Sequence, residues 1–145
     1  MKGIYVLLMH IDRPVIVDVG SLGRLHFGKG IYAYVGSALN GLESRISRHL
    51  SKRKENMHWH IDYLTSSTYA SIEHVAMGET WNRAECKVSK AIASRTFSDM
   101  VPAFGSSDCS CNSHLYRLDS SIDESLQELK KIFSSLELTP LVLHV

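Results

Sequence analysis

Two stretches of alternating side chains, each carrying tyrosine and glycine, constrain this chain more than any other feature. Over residues 3–9, Ile4, Val6 and Leu8 share one face of a strand while Tyr5, Leu7 and Met9 share the other, because side chains along a strand alternate with period two. Over residues 31–37, Ile31, Ala33 and Val35 share one face, and Tyr32, Tyr34 and Gly36 the opposite one. If the two strands are neighbours, Tyr5 and Tyr34 stand side by side, and the glycines let another group approach the backbone closely. A helix rich in arginine and histidine follows at once. Two phenols facing a cationic helix make a place suited to a phosphodiester.

The rest of the chain reads as one domain over residues 1–145. Strands are expected at 2–9, 15–19, 24–27 and 31–37, together an antiparallel meander, with turns at Asp12-Arg13-Pro14, Ser21-Leu22-Gly23 and Gly28-Lys29-Gly30. Asn40-Gly41 opens a helix to about residue 50, with Leu42, Ile46 and Leu50 as its buried stripe. A helix or turn at 59–64, a strand at 71–77, a helix at 82–95, a loop at 104–112 and a strand at 114–118 follow. A last helix, about 122–136, begins with Ser121 and Glu124 at capping-box spacing. The fold class is α/β in the broad sense (α+β), a small central antiparallel sheet flanked by helices.

The net charge is only +1, so nucleic-acid binding would have to come from local clustering. No apolar run reaches the ~18 residues of a membrane span, and no signal-peptide pattern opens the chain, so a cytoplasmic protein without membrane partners is expected. Three cysteines, an odd number, argue against a disulfide framework.

Arg45, Arg48, His49 and Lys52 fall at i, i+3, i+4 and i+7, and Arg53 and Lys54 extend the stripe. Guanidinium groups grip phosphate oxygens in a fork, and histidine exchanges a proton near neutral pH. The plainer alternative is a solvated helix face. His58, His60 and Asp62 flank Trp59, where they either line a groove or pack around the indole; His58 reads as structural and His60 stays open. Cys109-x-Cys111-x-x-His114 supplies two thiolates and an imidazole, and Cys86 could complete a tetrahedral zinc site. Alternatively the cysteines need no metal, and Asp108 and Asn112 of the same loop serve the phosphate site.

Gly3-Ile4-Tyr5, then Tyr34-Val35-Gly36, then an arginine at position 45 resemble the GIY-YIG nuclease superfamily. Val19-Gly20-Ser21-Leu22-Gly23, Trp59-His60-Ile61-Asp62-Tyr63-Leu64 and the segment from Phe104 to Cys111 are similar to a small, mostly archaeal branch of it. That branch is sometimes fused to an endonuclease III-type repair glycosylase. The resemblance covers residues 1–118. It implies a site made of Tyr5, Tyr34, Arg45 and His49, with Glu85 holding magnesium or manganese, and a nuclease acting on nucleic acid, DNA in the first place, in repair or processing. Arg48, Lys52, Arg53 and His60 would then bind the nucleic acid. The chain departs from the superfamily pattern by an extra hairpin between the two tripeptides, about residues 15–27, and by one residue before Arg45, with Gly41 as the insertion. Glu85 also stands three residues after Asn82, where it would serve equally as a capping-box partner. Two other classes stay open: a non-catalytic nucleic-acid-binding or partner-docking module, and a zinc-stabilised structural domain.

Overall fold

Strands β1 (Gly3–Ile11) and β4 (Gly30–Ala38) form the centre of the molecule, antiparallel, with Tyr5 opposite Gly36 and Leu7 opposite Tyr34. The structure is a computed structural model that describes residues 1–38, 40–95, 98–106 and 109–145. The register puts Tyr5 and Tyr34 on the same face as diagonal neighbours, as the period-two phase of both segments requires. β5 (Ala70–Glu79) pairs with the other side of β1, and β7 (Leu115–Leu118) with the other side of β4. β6 (Ser98–Met100) and β8 (Leu141–His144) form the edges of an antiparallel sheet ordered β6-β7-β4-β1-β5-β8. Neither edge strand was legible in the sequence.

Helices lie on both faces of this sheet, which is why β1 is apolar on both. α1 (Leu42–Leu50) and α2 (His60–Thr65) cover the face of Tyr5, Leu7, Met9 and Tyr34. α3 (Glu85–Ala93) and α4 (Ile122–Ser135) cover Ile4, Val6, Leu8, Ala33 and Val35. The architecture is mixed α+β. Among the described residues, no helix is long and apolar enough to cross a membrane.

Three sequence expectations are corrected. β2 (Val15–Asp18) and β3 (Arg24–Phe27) make a separate two-stranded sheet rather than part of a meander, and β1 pairs directly with β4. This hairpin alternates between half-buried and exposed residues, so it packs one side on the core and leaves Ile16 in solvent. In α1 the buried stripe is Leu42, Ile46 and His49, while Leu50 is exposed. At about 100° per residue, i+7 returns to within about 20° of i, whereas i+8 lies about 80° away. His49 therefore takes the place expected for leucine and is no surface histidine. α3, finally, begins at Glu85 with Ala84 as its N-cap and no side-chain cap, and the amide of Asn82 donates to Thr80 Oγ1 at 3.2 Å. Glu85 is thus not the capping partner of Asn82. The cap of α4 stands as expected, with Glu124 N donating to Ser121 Oγ at 3.1 Å.

Candidate functional site

The ladder between β4 and β7 ends at the pair Tyr34–Leu115, so β4 runs on past its partner through Gly36 and Ser37. Across β1, the phenol of Tyr5 folds over Gly36. A Cβ at that position would lie 2.4 Å from the Tyr5 ring and hydroxyl, so the glycine is what admits the phenol. Around this stretch lies a cavity of about 260 Å³ whose lining includes Tyr5, Tyr34, Arg45, Trp59, Arg83 and Glu85. Because the cavity wraps the end of β4, groups from both sheet faces reach it: Tyr5 and Arg45 from one, Glu85 of α3 from the other.

Tyr5 Oη and His49 Nε2 are 2.6 Å apart, with both residues buried. Burial pushes the Tyr5 hydroxyl well above its ordinary range, opposed by the Arg45 guanidinium. Burial also lowers His49, to about 4, although the Asp62 carboxylate pulls the other way. At neutral pH a protonated phenol therefore meets a neutral imidazole. Tyr34 is raised by burial and then by the nearby Tyr5 and Glu85, and its ring packs edge-on to His49 and Phe104. Arg45 Nη1 donates to the carbonyl of Ser37 at 2.9 Å, and the guanidinium stacks 4.1 Å above the centre of Trp59. These two supports hold the group at the cavity wall beside the Tyr5 hydroxyl.

The other cations of the stripe are placed differently. Arg48 Nη2 pairs with Asp62 at 2.8 Å and donates to the carbonyl of Asn56 at 2.7 Å. Asp62 is fully buried and also accepts from the amides of His58 and Trp59. Burial opposes its charge, but Arg48 and the two amides hold its carboxyl below the usual range. The Lys52 ammonium donates to the carbonyls of Ser67 and Ala70, and Lys54 to Ser51 and Thr65. Arg53 is exposed. Arg48 and Lys52 thus brace the chain between α1 and β5. His60 Nδ1 accepts the amide of Gly105 at 2.9 Å and holds that loop against Tyr34, where a Cβ on Gly105 would come within 2.9 Å of the ring. His58 is exposed and edge-on to Trp59. Sequence reasoning missed Trp59 as the platform under Arg45 and Asp62 as the buried counter-ion. An acid three residues after Trp59, at the start of a short helix, was the available signal for the second.

On the α3 side, Cys86 in the first helical turn meets Cys109, Cys111 and His114, and the four ligand atoms lie within 4.8 Å of one another. Cys109 Sγ is 3.5 Å and Cys86 Sγ 4.0 Å from His114 Nε2. Burial and the crowding of neighbouring thiols raise Cys86 to about 12, and burial raises Cys111 as well. A cation among them would reverse that, since coordinated thiols deprotonate. The cluster could hold a metal such as zinc. Asn112 is exposed, and its carbonyl accepts the amide of Ala103; Asp108 lies outside the described residues. A larger concavity, about 820 Å³, between β6, β7 and the start of α4 brings Arg117 near Asp99 and Asp119, away from the tyrosines.

A family model described as a domain of unknown function, DUF123, matches residues 4–138, and the chain belongs to that family. No curated protein and no solved structure matches it.

Proposed function

We propose that this DUF123 member is a metal-dependent phosphodiesterase of GIY-YIG type acting on nucleic acid, DNA before RNA, in repair or processing. The observation that carries the reading is the buried Tyr5–His49 hydrogen bond, which shares one cavity with Arg45, Tyr34 and Glu85. The cavity is smaller than the roughly 300–1,000 Å³ of small-molecule sites, which suits a phosphodiester linkage reaching in from a chain that lies outside.

The residues divide the chemistry as follows. Tyr5 positions the attacking water, and His49 Nε2, 2.6 Å from the phenol oxygen, accepts the phenol proton in the tautomer that carries its own proton on Nδ1. Arg45 stabilises charge that builds on the phosphoryl oxygens. Glu85 is the only carboxylate among the described residues lining the cavity. A single carboxylate fits magnesium or manganese, hard cations that keep several waters, whereas the thiol cluster does not. Bound at Glu85, such a cation would stabilise the leaving oxygen.

The test is a panel of end-labelled single-stranded, branched and duplex DNA and RNA, with and without magnesium or manganese. Cleavage that needs the metal and disappears in Glu85→Ala is expected. No turnover on any substrate by the folded protein overturns the reading. One observation favours a second reading, a binding module without turnover: Tyr5 and Tyr34 are only 1% and 6% exposed and strongly disfavour ionisation. Salt-sensitive binding without cleavage would then be the outcome.

A further inference from the structure

We propose that Cys86, Cys109, Cys111 and His114 bind one zinc ion in a closed tetrahedral site that fastens the first turn of α3 to the loop preceding β7. Zinc bonds of about 2.3 Å to sulfur and about 2.0–2.1 Å to nitrogen place tetrahedral donors roughly 3.5–3.8 Å apart. The Cys109–His114 separation of 3.5 Å already has that value, the Cys86–His114 separation is 4.0 Å, and no pair of donors exceeds 4.8 Å. An ion at the centre thus needs the donor atoms to close in by about an ångström at most. Three thiolates and an imidazole form a soft donor set suited to zinc. Four protein ligands leave no open position, so the ion is structural rather than catalytic.

The surroundings are those of a fastening point. Ser89, one turn after Cys86 on the same helix face, donates to the carbonyl of Ser113 at 2.8 Å and lies 2.6 Å from the Tyr116 hydroxyl. That face of α3 is therefore already seated on the segment that carries His114. His114 in turn joins two parts of the backbone: its amide donates to the Phe104 carbonyl at 2.8 Å, and its carbonyl accepts the Val35 amide at 2.9 Å. The ion would sit where α3, the loop and β4 meet, one residue from Glu85. The site is independent of whether the neighbouring cavity hydrolyses anything.

The experiment uses the full chain, purified under reducing conditions and reconstituted with zinc or cobalt. About one zinc per chain is expected by elemental analysis, and the cobalt form should show thiolate-to-cobalt charge transfer with the intense visible bands of a tetrahedral site. Cys86→Ser and Cys111→Ser should each weaken zinc binding by more than the roughly 10–100-fold typical of changes outside the ligand shell. Chelation should speed hydrogen exchange in the first turn of α3 and leave β1 unchanged. A reconstituted, folded chain without zinc, a six-coordinate cobalt spectrum lacking the thiolate band, or a Cys86→Ser protein that keeps its zinc affinity would each overturn the proposal. If Cys86→Ser does not fold, the cobalt spectrum of the unaltered chain decides. A nuclease-inactive protein that still shows the cobalt signature would refute the proposed function and leave the zinc site standing.

Discussion

The two flanks of the cavity use similar parts, a nine-residue helix laid on one face of the sheet, and hold them in different ways. On the α1 flank most side chains have a protein partner, Tyr5 with His49, Arg45 with Ser37 and Trp59, Arg48 with Asp62 and Asn56, Lys52 with two carbonyls, while the buried Arg48 Nε, His49 Nδ1 and Asp62 Oδ1 have none among the described residues. On the α3 flank the helix starts without a side-chain cap, and three thiols crowd one histidine at its first turn. The first flank is held mainly by its own hydrogen bonds. The second gathers donors that could hold a metal ion. A flank of the first kind responds to pH and to loss of buried partners, and a flank of the second kind to chelation and oxidation.

The largest effect is expected at Glu85, which stands on the thiol-bearing flank but lines the cavity. Glu85→Ala should reduce nuclease activity to background while moving the melting temperature little, because the side chain caps nothing. A large loss of stability alongside the activity would mean that Glu85 belongs to the scaffold after all.

Arg45→Ala, on the hydrogen-bonded flank, should cut turnover about 100-fold, since losing a transition-state donor costs about 3 kcal/mol. Arg45→Lys keeps the charge and loses the fork, so it should restore binding better than rate. Equal losses of binding and rate in both variants would favour the module without turnover.

Stability against pH sharpens the comparison further. His49 is held near 4 in the folded protein against an ordinary value near 6.5, so between those limits the unfolded chain binds the extra proton. Stability is therefore full above pH ~6.5 and falls as pH drops towards ~4, by up to about 3 kcal/mol. Asp62, held below its ordinary range, adds a loss in the same direction only under more acidic conditions. Thermal melts at pH 7 and pH 5 should show the fall in the unaltered protein, and His49→Gln should flatten it. A wild-type profile without slope would mean that the imidazole is not buried as described.

The smallest effect separates the exposed cation from the engaged one. Arg53→Ala should lower the salt dependence of nucleic-acid binding by about one phosphate contact without changing stability. Lys52→Ala should instead lower the melting temperature, because it strips two carbonyls of their donor. Identical behaviour of the two would remove the distinction drawn between them.

The phase of the alternating segments, read from the sequence alone, was enough to put Tyr5 and Tyr34 on one face of an antiparallel sheet, and helical spacing to expect helices beside it, whereas the 15–27 hairpin was read into the same meander and only the tertiary structure separated it. The cap of α4 was equally legible. These features depend on period and on residues three or four apart, so the local sequence determines them. Which groups meet across the fold was decided elsewhere. That His49 turns inward to Tyr5 depends on α1 lying over β1, and that Arg48 is spent on Asp62 depends on α2 returning beneath it. Cys86 joins Cys109, Cys111 and His114 only because α3 packs beside the loop that leads into β7. A helical stripe specifies a face, but the partner opposite that face comes from a distant part of the chain, and only tertiary packing brings the two within bonding distance.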